Sequence, residues 1–341
     1  MVTSSLSFTL TIKKDNDLNM KIAILMSTYN GQKYLSQQIK SILNQSNTSW
    51  HLYIRDDGSE DNTCSIIREF AVSDERITFM NDGAVKNIGV VRSFMELLRL
   101  TKADFYMFSD QDDVWKKDKV ENTLKKMLSC HYKSSPVCVH TDLLVVDRSL
   151  EPLNNGKPAP KYVWSSFQKL LFWNCVTGCT MMINQRLKEK INFKELNYNQ
   201  IYMHDWWLAL IAAEFGELTF LDEQTMLYRQ HGDNVEGSLR QHSIMEIIHR
   251  MVHPNYDIAN VNKIVGMANE FGHIYGKLMN EQDYQYAKEY GELVSRSSFL
   301  HNLALAIRYP PRERTKRGMS FFIWLMVVFH NDLNNSVSKK N

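Results

Sequence analysis

The sequence predicts an α/β protein built on a mostly parallel central sheet. Short apolar runs alternate with segments of helical periodicity through the first half of the chain, a pattern typical of right-handed βαβ units. Polar clusters directly follow three of the apolar runs, at residues 27–31 (STYNG), 55–59 (RDDGS) and 109–113 (SDQDD). Because open α/β sheets bind ligands at the carboxyl ends of their strands, we expect these clusters to share one site.

The elements of the first half follow from this alternation. Each predicted strand is a short apolar run of the kind that a sheet buries on both faces, and the strands are expected at 22–26, 52–54, 77–80, 105–108 and 137–140. Each predicted helix repeats apolar residues at helical spacing, and the helices are expected at about 34–43, 59–70, 90–100 and 119–128. Ser59 can cap the second helix, and Gly89 eases the start of the third.

The second half follows a different pattern. Prolines at 152, 158 and 160 mark a loop, after which we expect a helix at 164–173, a strand at 177–183 and a helix at 203–214. Two short strands, 218–221 and 225–228, should follow. Residues from about 238 to 330 look helical.

Composition excludes some classes of protein. The chain has 341 residues, is 44% hydrophobic and carries a net charge of +2, so charge gives no argument for a nucleic-acid partner. The five cysteines are scattered, and the closest two, Cys175 and Cys179, lack zinc or redox spacing, which fits a reduced cytosolic compartment. The first nineteen residues show no signal peptide, and we interpret residues 1–19 as a disordered tail or an upstream extension.

One C-terminal segment suggests contact with a membrane. The apolar run at 319–329 is too short to span a bilayer, which needs about 20 apolar residues. A basic stretch precedes this apolar run, and Glu313 is the only acid in it. Its basic residues are Arg308, Arg312, Arg314, Lys316 and Arg317. Such a segment can lie in the interface of an anionic membrane, and we favour this peripheral contact over a core helix beside a solvated basic loop.

The acidic cluster predicts a metal. Asp110, Asp112 and Asp113 fall within four positions at the end of an apolar run, where carboxylates repel one another and resist desolvation. Mg²⁺ and Mn²⁺ bind carboxylate oxygens together with substrate phosphates. The cluster therefore indicates a divalent cation and a phosphorylated donor, and the alternative is an acidic loop in solvent.

Seven motifs occur in order along the chain: STYNG, DDGSEDNT, NIGVVRSF, SDQDDVWKKDK, TGCTMM, HDWW and YRQHGDN. Over roughly residues 21–234 the chain thus resembles the inverting nucleotide-sugar glycosyltransferases of family 2, and among them bacterial rhamnosyltransferases that build cell-surface polysaccharides. The resemblance implies a GT-A nucleotide-sugar-binding fold, Rossmann-like, with a helical C-terminal extension. It implies a catalytic domain at 20–237, divided into a nucleotide-binding half at about 20–150 and an acceptor half at about 151–237. A helical region at 238–341 with the membrane-contacting segment completes the chain.

The resemblance implies roles on the donor side. The Tyr29 ring would stack on a uracil or thymine base, and Asp57 would accept a hydrogen bond from the base N3–H. Thr28 and Asn30 would line the donor pocket, and Asp110 would face the ribose or the metal. Asp56 would organise its turn, in which Gly58 suits a positive φ. Arg92 is a further diphosphate or base-side candidate, although a solvated helix residue is the favoured interpretation.

The resemblance also implies a metal site that binds Mg²⁺ or Mn²⁺. Asp112 would contact the ion directly, with Asp110 and His231 as further ligands. Arg229 and His231 suit the diphosphate, and the alternative for both is a polar turn. Asp113 would position the loop or cap the following turn.

On the acceptor side, inversion needs a base opposite the leaving group, and Asp205 matches the acid of the family's motif. His204 stands where the family has Glu, and it would assist the base on the acceptor or sugar side. Thr177 and Gly178 would shape the acceptor or sugar pocket, and Trp115 would line the acceptor side or pack beneath the acidic cluster. Cys179 replaces an expected Gly, a change that should affect the shape of the acceptor side and leave the donor site intact.

The implied function is metal-dependent transfer of L-rhamnose from dTDP-rhamnose, with inversion, onto a lipid-linked or growing polysaccharide. The enzyme would work at the inner face of the bacterial plasma membrane in O-antigen, capsule or cell-wall glycan synthesis. A UDP-hexose or UDP-N-acetylhexosamine donor stays open, as does a homodimer. Nucleotidyl transfer needs a Gly-rich basic loop and dinucleotide oxidoreduction needs G-x-G-x-x-G after the first strand, and both are absent here. A non-catalytic scaffold is disfavoured by the intact carboxylates.

Overall fold

The computed structural model of the protein describes residues 20–153, 163–231, 254–312 and 315–334. The tail expected at 1–19 lies outside these ranges, as do the first and last parts of the predicted C-terminal region, 238–253 and 335–341.

A single mixed sheet forms the centre of the described chain. Its strands are β1 (Ile22–Thr28), β2 (Trp50–Asp56), β3 (Ile77–Phe79), β4 (Phe105–Ser109), β5 (Val114–Trp115), β6 (Val137–Val146), β7 (Met181–Asn184) and β8 (Glu217–Arg229). They are ordered β3-β2-β1-β4-β7-β6-β8-β5 across the sheet. The predicted pair of strands after residue 217 is therefore wrong: β8 is one strand, whose pairing with β6 shifts register near Asp142.

Strand directions bring the three polar clusters to one edge. β1 runs parallel to β2 and β4, and β2 parallel to β3, with Thr28 level with Asp56 and Met26 level with Ser109. β6 and β8 are also parallel, whereas β7 is antiparallel to β4 and β6, and β5 is antiparallel to β8. The predicted α/β class with a mostly parallel sheet is thus confirmed.

Helices connect the strands much as the sequence periodicity indicates. They are α1 (Leu35–Leu43), α2 (Thr63–Ser73), α3 (Val90–Leu100), α4 (Lys119–Leu128), α5 (Phe167–Phe172), α6 (Gln185–Glu189) and α7 (His204–Phe215). The predicted bounds of α3 and α4 are confirmed. The predicted cap is wrong, because α2 starts after Asn62 and the Ser59 hydroxyl donates to Asp56 instead. A single 3₁₀ turn (Gly178–Thr180) precedes β7.

Two apolar layers cover the two faces of the sheet. Alternate residues of β1 enter different clusters: Ala23 and Leu25 belong to one, and Ile22, Ile24 and Met26 to the other. This alternation is the period-2 geometry of a strand. Both faces of β1 are buried, which explains the continuous apolar run in its sequence.

The C-terminal region is helical, as expected. Its described helices are α8 (Asn255–Tyr275), α9 (Glu281–Gly291), α10 (Leu293–Arg296), α11 (Phe299–Arg308), α12 (Lys316–Val328) and α13 (His330–Asn334). They share one apolar cluster with the α/β part: Phe271 packs edge-on against Trp207 at 5.2 Å, and Phe322 against Phe172 at 5.5 Å. The helices are therefore an extension of the core.

The apolar run at 319–329 lies mostly within α12. Phe322, Leu325, Met326 and Val327 are buried, so the core-helix alternative accounts for this half of the segment. Asn302 of α11 also donates to the Met326 carbonyl at 2.6 Å. Across the ranges that the structure describes, no helix combines the length and the apolar content needed to cross a bilayer.

Candidate active site

The loops after β1 and β2 are joined by the buried Asp56 carboxylate. Its Oδ1 accepts from the amides of Gly58 (3.1 Å) and Ser59 (2.8 Å), and its Oδ2 accepts from the hydroxyls of Thr28 (2.8 Å) and Ser59 (2.6 Å). Gly58 has a φ of 94°, a conformation that glycine adopts without a steric penalty. Asp56 thus organises its turn, and Thr28, which is itself buried, holds the two loops together.

Asn30 makes the second link between these loops. Its amide donates to the Ser59 hydroxyl at 2.8 Å, and its side-chain oxygen accepts from the Glu60 amide at 2.9 Å. Asn30 has a φ of 47°, a left-handed conformation that Asn tolerates better than most residues. Between the two fixed residues Thr28 and Asn30, the Tyr29 ring is 51% exposed and open to a flat ligand.

Gln111 ties the acidic loop after β4 to Tyr29. Its Oε1 accepts from the Tyr29 amide at 2.9 Å, and its Nε2 donates to the Tyr29 carbonyl at 2.8 Å. A Cβ at Gly31 would lie 2.2 Å from Gln111 Oε1, so glycine at this position leaves the space for the amide. The aromatic candidate and the carboxylate candidates are therefore held next to one another.

Asp57 is buried and already engaged. Its Oδ1 accepts from Arg55 (2.8 Å) and the Ile88 amide (2.7 Å), and its Oδ2 accepts from the Gly89 amide (2.9 Å). A carboxylate offers about four acceptor positions. The geometry therefore leaves one position, on Oδ2, for a donor such as a base N–H.

Arg92 lies away from these loops among exposed groups. It donates to the Asn199 side chain at 3.2 Å, and its guanidinium lies 5.6 Å from the Tyr198 ring centre. These contacts fit the solvated helix residue that the sequence favours.

Asp113 of the acidic cluster is buried, whereas Asp110 and Asp112 are partly buried, and the three carboxylates perturb one another. Burial, and then the neighbouring Asp112, raise the pKa of Asp110 to about 7. Burial and the other two carboxylates raise the pKa of Asp113 well above its usual range. Each of Asp110, Asp113 and Cys179 offers a ligand atom within 4.8 Å of the other two. Such a cluster is stabilised by a cation.

The cluster fits a divalent metal. In the part of the chain that the structure describes, the buried Asp113 Oδ2 has no hydrogen-bond partner. The neighbouring potential metal ligands on Asp110 and Asp112 are also carboxylate oxygens. Carboxylate oxygens are the ligands that Mg²⁺ and Mn²⁺ prefer. The residues present therefore suit the predicted ion.

Asp112 and His231 form a pair beside this group. His231 Nε2 lies 2.6 Å from Asp112 Oδ2, and the imidazole stacks on the Tyr34 ring at 5.2 Å. Among the described residues, the compact group of potential ligands contains Asp113 and Cys179 rather than Asp112 and His231. The predicted metal ligands were Asp110, Asp112 and His231. The compact group in the structure keeps Asp110 but has Asp113 and Cys179 in place of the other two.

Arg229 supports the acidic loop from within the protein. Its Nε donates to the Asp112 carbonyl (2.8 Å), its two terminal nitrogens to the Arg148 carbonyl and the Gln37 side chain (both 2.6 Å), and its backbone amide to Asp113 Oδ1 (3.1 Å). The side chain is only 2% exposed. In this structure all three guanidinium nitrogens of Arg229 thus donate to protein groups. This differs from the predicted role, in which the guanidinium would bind the diphosphate.

Trp115 and Lys119 lie beneath the cluster. Trp115 is 3% exposed and its ring centre lies 5.0 Å from the Lys119 ammonium, so it packs under the loop and not on an open acceptor side. Lys119 donates to the Thr225 hydroxyl at 3.0 Å. Burial lowers the pKa of Lys119 to about 8, while Cys179 and Asp113 oppose that shift.

Asp205 lies in the first turn of α7 and is held by amides. The Gly178 amide donates to its Oδ2 at 2.8 Å, the Trp206 amide donates to its Oδ1, and the Asn174 side chain approaches Oδ1 at 3.4 Å. The side chain is almost buried, with 7% of the residue exposed. These donors fix the direction of the carboxylate.

Cys179 connects Asp205 to the acidic cluster, which corrects a prediction. The thiol was expected to shape the acceptor side, but it lies against Asp110 and Asp113 and is 1% exposed. The residue before it, Gly178, donates to Asp205. Consecutive residues of the 3₁₀ turn therefore link the candidate base to the candidate metal site.

His204 and Thr177 occupy different environments. His204 stacks on Phe94 at 4.2 Å and packs against Phe108 at 5.3 Å, and neither ring nitrogen has a hydrogen-bond partner in the described structure. Burial lowers its pKa to about 3. A Cβ at Gly178 would lie 2.9 Å from His204 Nε2. Thr177 is exposed, whereas the other three acceptor-side candidates, Trp115, Gly178 and His204, are buried.

Sequence comparisons identify the family. Residues 23–143 match the model of glycosyl transferase family 2. The dTDP-rhamnosyl transferase RfbG of Shigella flexneri is 30% identical over 223 residues, which cover 62% of this chain and 74% of RfbG. The chain belongs to glycosyltransferase family 2. A second relative of this glycosyltransferase, the UDP-Glc:alpha-D-GlcNAc-diphosphoundecaprenol beta-1,3-glucosyltransferase WfgD of Escherichia coli, is 28% identical over 194 residues, covering 56% of this chain and 69% of WfgD.

Solved structures confirm the GT-A fold of this glycosyltransferase. S. aureus TarS 1–349 in complex with UDP-GlcNAc superposes with a TM-score of 0.53 at 13% identity, covering 94% of this chain and 92% of that one. TarS 1–349 in complex with UDP gives a TM-score of 0.50 at 14% identity, with the same coverage. At this identity the likeness shows the fold alone.

Sequence patterns missed three residues that shape the site of this glycosyltransferase. Gln111 lies between two acids and fixes Tyr29; Arg55 neutralises Asp57; Lys119 places a buried cation under the cluster. Arg55 and Gln111 stand inside recognised motifs, which was an available signal. Lys119 is the last residue of a charged run, after two other lysines and Asp118, so nothing in the sequence indicated that its side chain is buried.

Proposed function

We propose that the protein transfers a sugar from a nucleoside diphosphate sugar to an acceptor hydroxyl with inversion, and that its donor is dTDP-rhamnose. One observation carries the proposal. The Gly178–Cys179 turn contacts Asp205 through its amide and the acidic cluster through its thiol. A base beside a metal-binding carboxylate group is the arrangement that inverting transfer needs.

The donor would bind along the edge formed by the first three loops. Tyr29 would stack on the base, and the remaining acceptor position of Asp57 would take the base N3–H. Thr28 and Asn30 would act by holding those loops, since both are committed to hydrogen bonds with the loop after β2. Asp110 would lie toward the ribose or the metal.

Asp110, Asp112 and Asp113 would hold Mg²⁺ or Mn²⁺, with His231 orienting Asp112 through their 2.6 Å contact. When bound, the ion supplies stabilisation of the negative charge on the departing nucleoside diphosphate. Arg229 would keep the loop that carries these carboxylates in place, since its guanidinium donates to the Asp112 carbonyl.

Asp205 would act as the general base. As the acceptor oxygen forms its bond to the anomeric carbon, the bond from that carbon to the diphosphate oxygen breaks. The hydroxyl proton passes to the Asp205 carboxylate, and the electron pair of the broken bond leaves with the nucleoside diphosphate. The amides of Gly178 and Trp206 would hold the carboxylate in the direction of attack. Attack on the face opposite the leaving group gives inversion.

The relatives support the choice of donor and acceptor. RfbG is named as a dTDP-rhamnosyl transferase, which favours dTDP-rhamnose. WfgD is named for transfer from UDP-Glc to a diphosphoundecaprenol-linked sugar, which favours a lipid-linked acceptor and keeps a UDP-hexose donor as the second candidate. These relatives support a role in cell-surface polysaccharide synthesis. Work at the inner face of the plasma membrane is part of the proposal.

A donor screen tests the proposal. Purified protein with Mg²⁺ or Mn²⁺ is incubated with dTDP-rhamnose, UDP-glucose and UDP-N-acetylglucosamine, and the released nucleoside diphosphate is measured with a membrane extract as acceptor source. We expect release from dTDP-rhamnose that disappears in Asp205→Asn. Turnover of a UDP-sugar with none of dTDP-rhamnose would remove the rhamnosyl assignment and leave the glycosyltransferase assignment standing.

A further inference from the structure

Helix α11 is apolar on two sides. Its inner side places Asn302, Leu305 and Ala306 in the core, with Asn302 bonded to the Met326 carbonyl of α12 at 2.6 Å. Its outer side exposes four large apolar residues: Phe299 (49%), Leu300 (76%), Leu303 (38%) and Ile307 (75%). An apolar helix face in a globular protein is normally packed against another element.

The outer residues form one stripe. At 3.6 residues per turn, positions 299, 300, 303 and 307 fall within an arc of about 100°. Of the eleven exposed large hydrophobic residues in the described ranges, four lie on this ten-residue helix. Isolated exposed apolar residues are ordinary, but a continuous stripe marks a contact surface.

Basic residues border the stripe. From residue 297 to 331 the sequence contains one acid, Glu313, and five Arg or Lys side chains: Arg308, Arg312, Arg314, Lys316 and Arg317. Arg296, just before this stretch, is paired with Glu292 at 3.1 Å. Among the five whose exposure the structure describes, Arg308, Arg312, Lys316 and Arg317 are all exposed. The surface beside the stripe therefore attracts anions and repels other basic surfaces.

We propose that α11 lies in the interface of an anionic membrane, with Leu300, Leu303 and Ile307 below the headgroups and Arg308 and the neighbouring basic residues on lipid phosphates. An apolar helix stripe bordered by Arg and Lys is the pattern that binds anionic bilayers. A second copy of the chain is a poorer occupant. A two-fold interface would bring the same basic residues of both copies together, and like charges repel.

The surface is connected to the candidate base by packed groups. Beyond the Asn302–Met326 bond, Phe322 of α12 meets Phe172 of α5 at 5.5 Å. In α5, the Leu170 carbonyl accepts from the indole of Trp206, the neighbour of Asp205. Docking through α11 would therefore set the position of the active site relative to the bilayer. That consequence for a lipid-linked acceptor rests on the proposed function, but the docking itself does not.

Vesicle flotation of the purified full chain tests the proposal. We expect binding to vesicles of phosphatidylglycerol and cardiolipin, little binding to phosphatidylcholine, and weaker binding as salt rises. The double variant Leu300→Ser/Ile307→Ser should lower the bound fraction at least about tenfold. The matched control Val72→Ser/Leu278→Ser removes two equally apolar residues that are 90% and 64% exposed elsewhere, and it should bind like the parent protein.

Variants that remove basic charge test the proposal independently in the same flotation assay. Arg308→Gln/Arg312→Gln should weaken binding to anionic vesicles at low salt and flatten its salt dependence. Circular dichroism and thermal unfolding should match the parent protein for every variant, since all six substituted positions are exposed.

Three results would overturn the proposal: unchanged flotation of Leu300→Ser/Ile307→Ser, equal binding to phosphatidylcholine, or a dimer in light scattering that this variant dissociates. The last would assign the stripe to an interface between copies. Release of nucleoside diphosphate from a donor sugar in lipid-free buffer is measured in parallel. Lost flotation with intact release, or the reverse, separates failure of the docking proposal from failure of the proposed function.

Discussion

The backbone amide of Gly178 donates a hydrogen bond of 2.8 Å to Oδ2 of Asp205. The next residue, Cys179, contacts Asp110 and Asp113, so one short turn joins the two halves of the site. The position of the base relative to the carboxylate cluster therefore depends on a backbone amide and not on a long flexible side chain. An amide of the same shape can replace this carboxylate and keep the hydrogen bond from Gly178, while its NH₂ group gives up the hydrogen bonds that Oδ1 accepts.

Asp205→Asn should strongly slow transfer while preserving the fold. The Asn oxygen can still accept from the Gly178 amide, but the side chain can no longer take the acceptor proton. General base catalysis contributes a factor of about 10²–10⁴, so the transfer rate should fall by at least about a hundredfold. Single-turnover transfer measures the loss, and thermal-shift titration with dTDP should show unchanged nucleotide binding.

Asp82→Asn is the matched control, because it makes the same substitution at an exposed carboxylate paired with Arg68. It should transfer at the parent rate. If Asp205→Asn also kept the parent rate, the base would have to be another residue.

Asp112→Asn should remove the response to metal. The substitution takes a charge from the cluster and weakens the 2.6 Å contact with His231. We expect the thermal shift that Mn²⁺ adds to dTDP binding to disappear, while the shift with dTDP alone stays. Asp147→Asn, at a carboxylate that accepts local hydrogen bonds from the Ser149 and Glu151 amides, is the control. An intact Mn²⁺ response in Asp112→Asn would exclude Asp112 as a ligand.

The sequence predicted the fold well where periodicity acts locally. α3 and α4 begin and end at the expected residues because each is amphipathic and faces the sheet. The helix expected at 164–173 is shorter, since it spans Phe167–Phe172. β8 was predicted as two strands because Asp222 and Glu223 interrupt its apolar pattern, yet both are exposed at a register shift that a continuous strand tolerates.

The site was predictable in its location but less so in the roles of its residues. Strand ends and motif order placed Tyr29, Asp57 and Asp110 on one edge of the sheet. The partners of a buried charge come from distant parts of the chain, and sequence spacing does not reveal them. Arg229, for example, donates to the Arg148 carbonyl and the Gln37 side chain, which explains why a donor-facing role was inferred from its motif alone.

Gly31→Ala should weaken donor binding through Gln111. The new Cβ would lie 2.2 Å from Gln111 Oε1, so the amide would leave its two hydrogen bonds to the Tyr29 backbone. With Tyr29 less well held, we expect the Kd for dTDP to rise about three- to tenfold, since ordering a loop on binding costs free energy. Isothermal titration measures the change.

Gln111→Ala removes the same two hydrogen bonds without a new clash. It should raise Kd by a similar factor, and the double variant should be no weaker than either single one, because both act through one interaction. Additive effects would show that Gly31 acts independently of Gln111.

Cys179→Ala should destabilise the protein and alter the metal site together. Removing the buried thiol leaves a small cavity beside Asp110 and Asp113, and the free energy of unfolding should fall by about 1–2 kcal/mol. Cys138→Ala removes the same atoms from a fully buried position on β6 and should lose similar stability. Urea unfolding compares the two. The half-maximal Mn²⁺ concentration in the thermal-shift titration should change in Cys179→Ala only; equal behaviour would reduce Cys179 to a packing residue.

His204→Leu should make stability less dependent on pH. Burial between aromatic rings lowers the pKa of His204 to about 3, whereas an unfolded histidine has a pKa of about 6.5. Below pH 6.5 the unfolded state therefore binds a proton that the folded state does not bind until the pH approaches 3, and stability falls as the pH falls through this window. At pH 5 the loss amounts to about 2 kcal/mol.

Urea unfolding at pH 7.5 and pH 5 measures this effect. The free energy of unfolding should drop less between the two pH values for His204→Leu than for the parent protein, whereas His273→Gln, at an exposed histidine, should reproduce the parent drop. An identical drop in His204→Leu would show that the imidazole is charged in the folded state, and a loss of transfer at unchanged stability would assign it a chemical role beside Asp205.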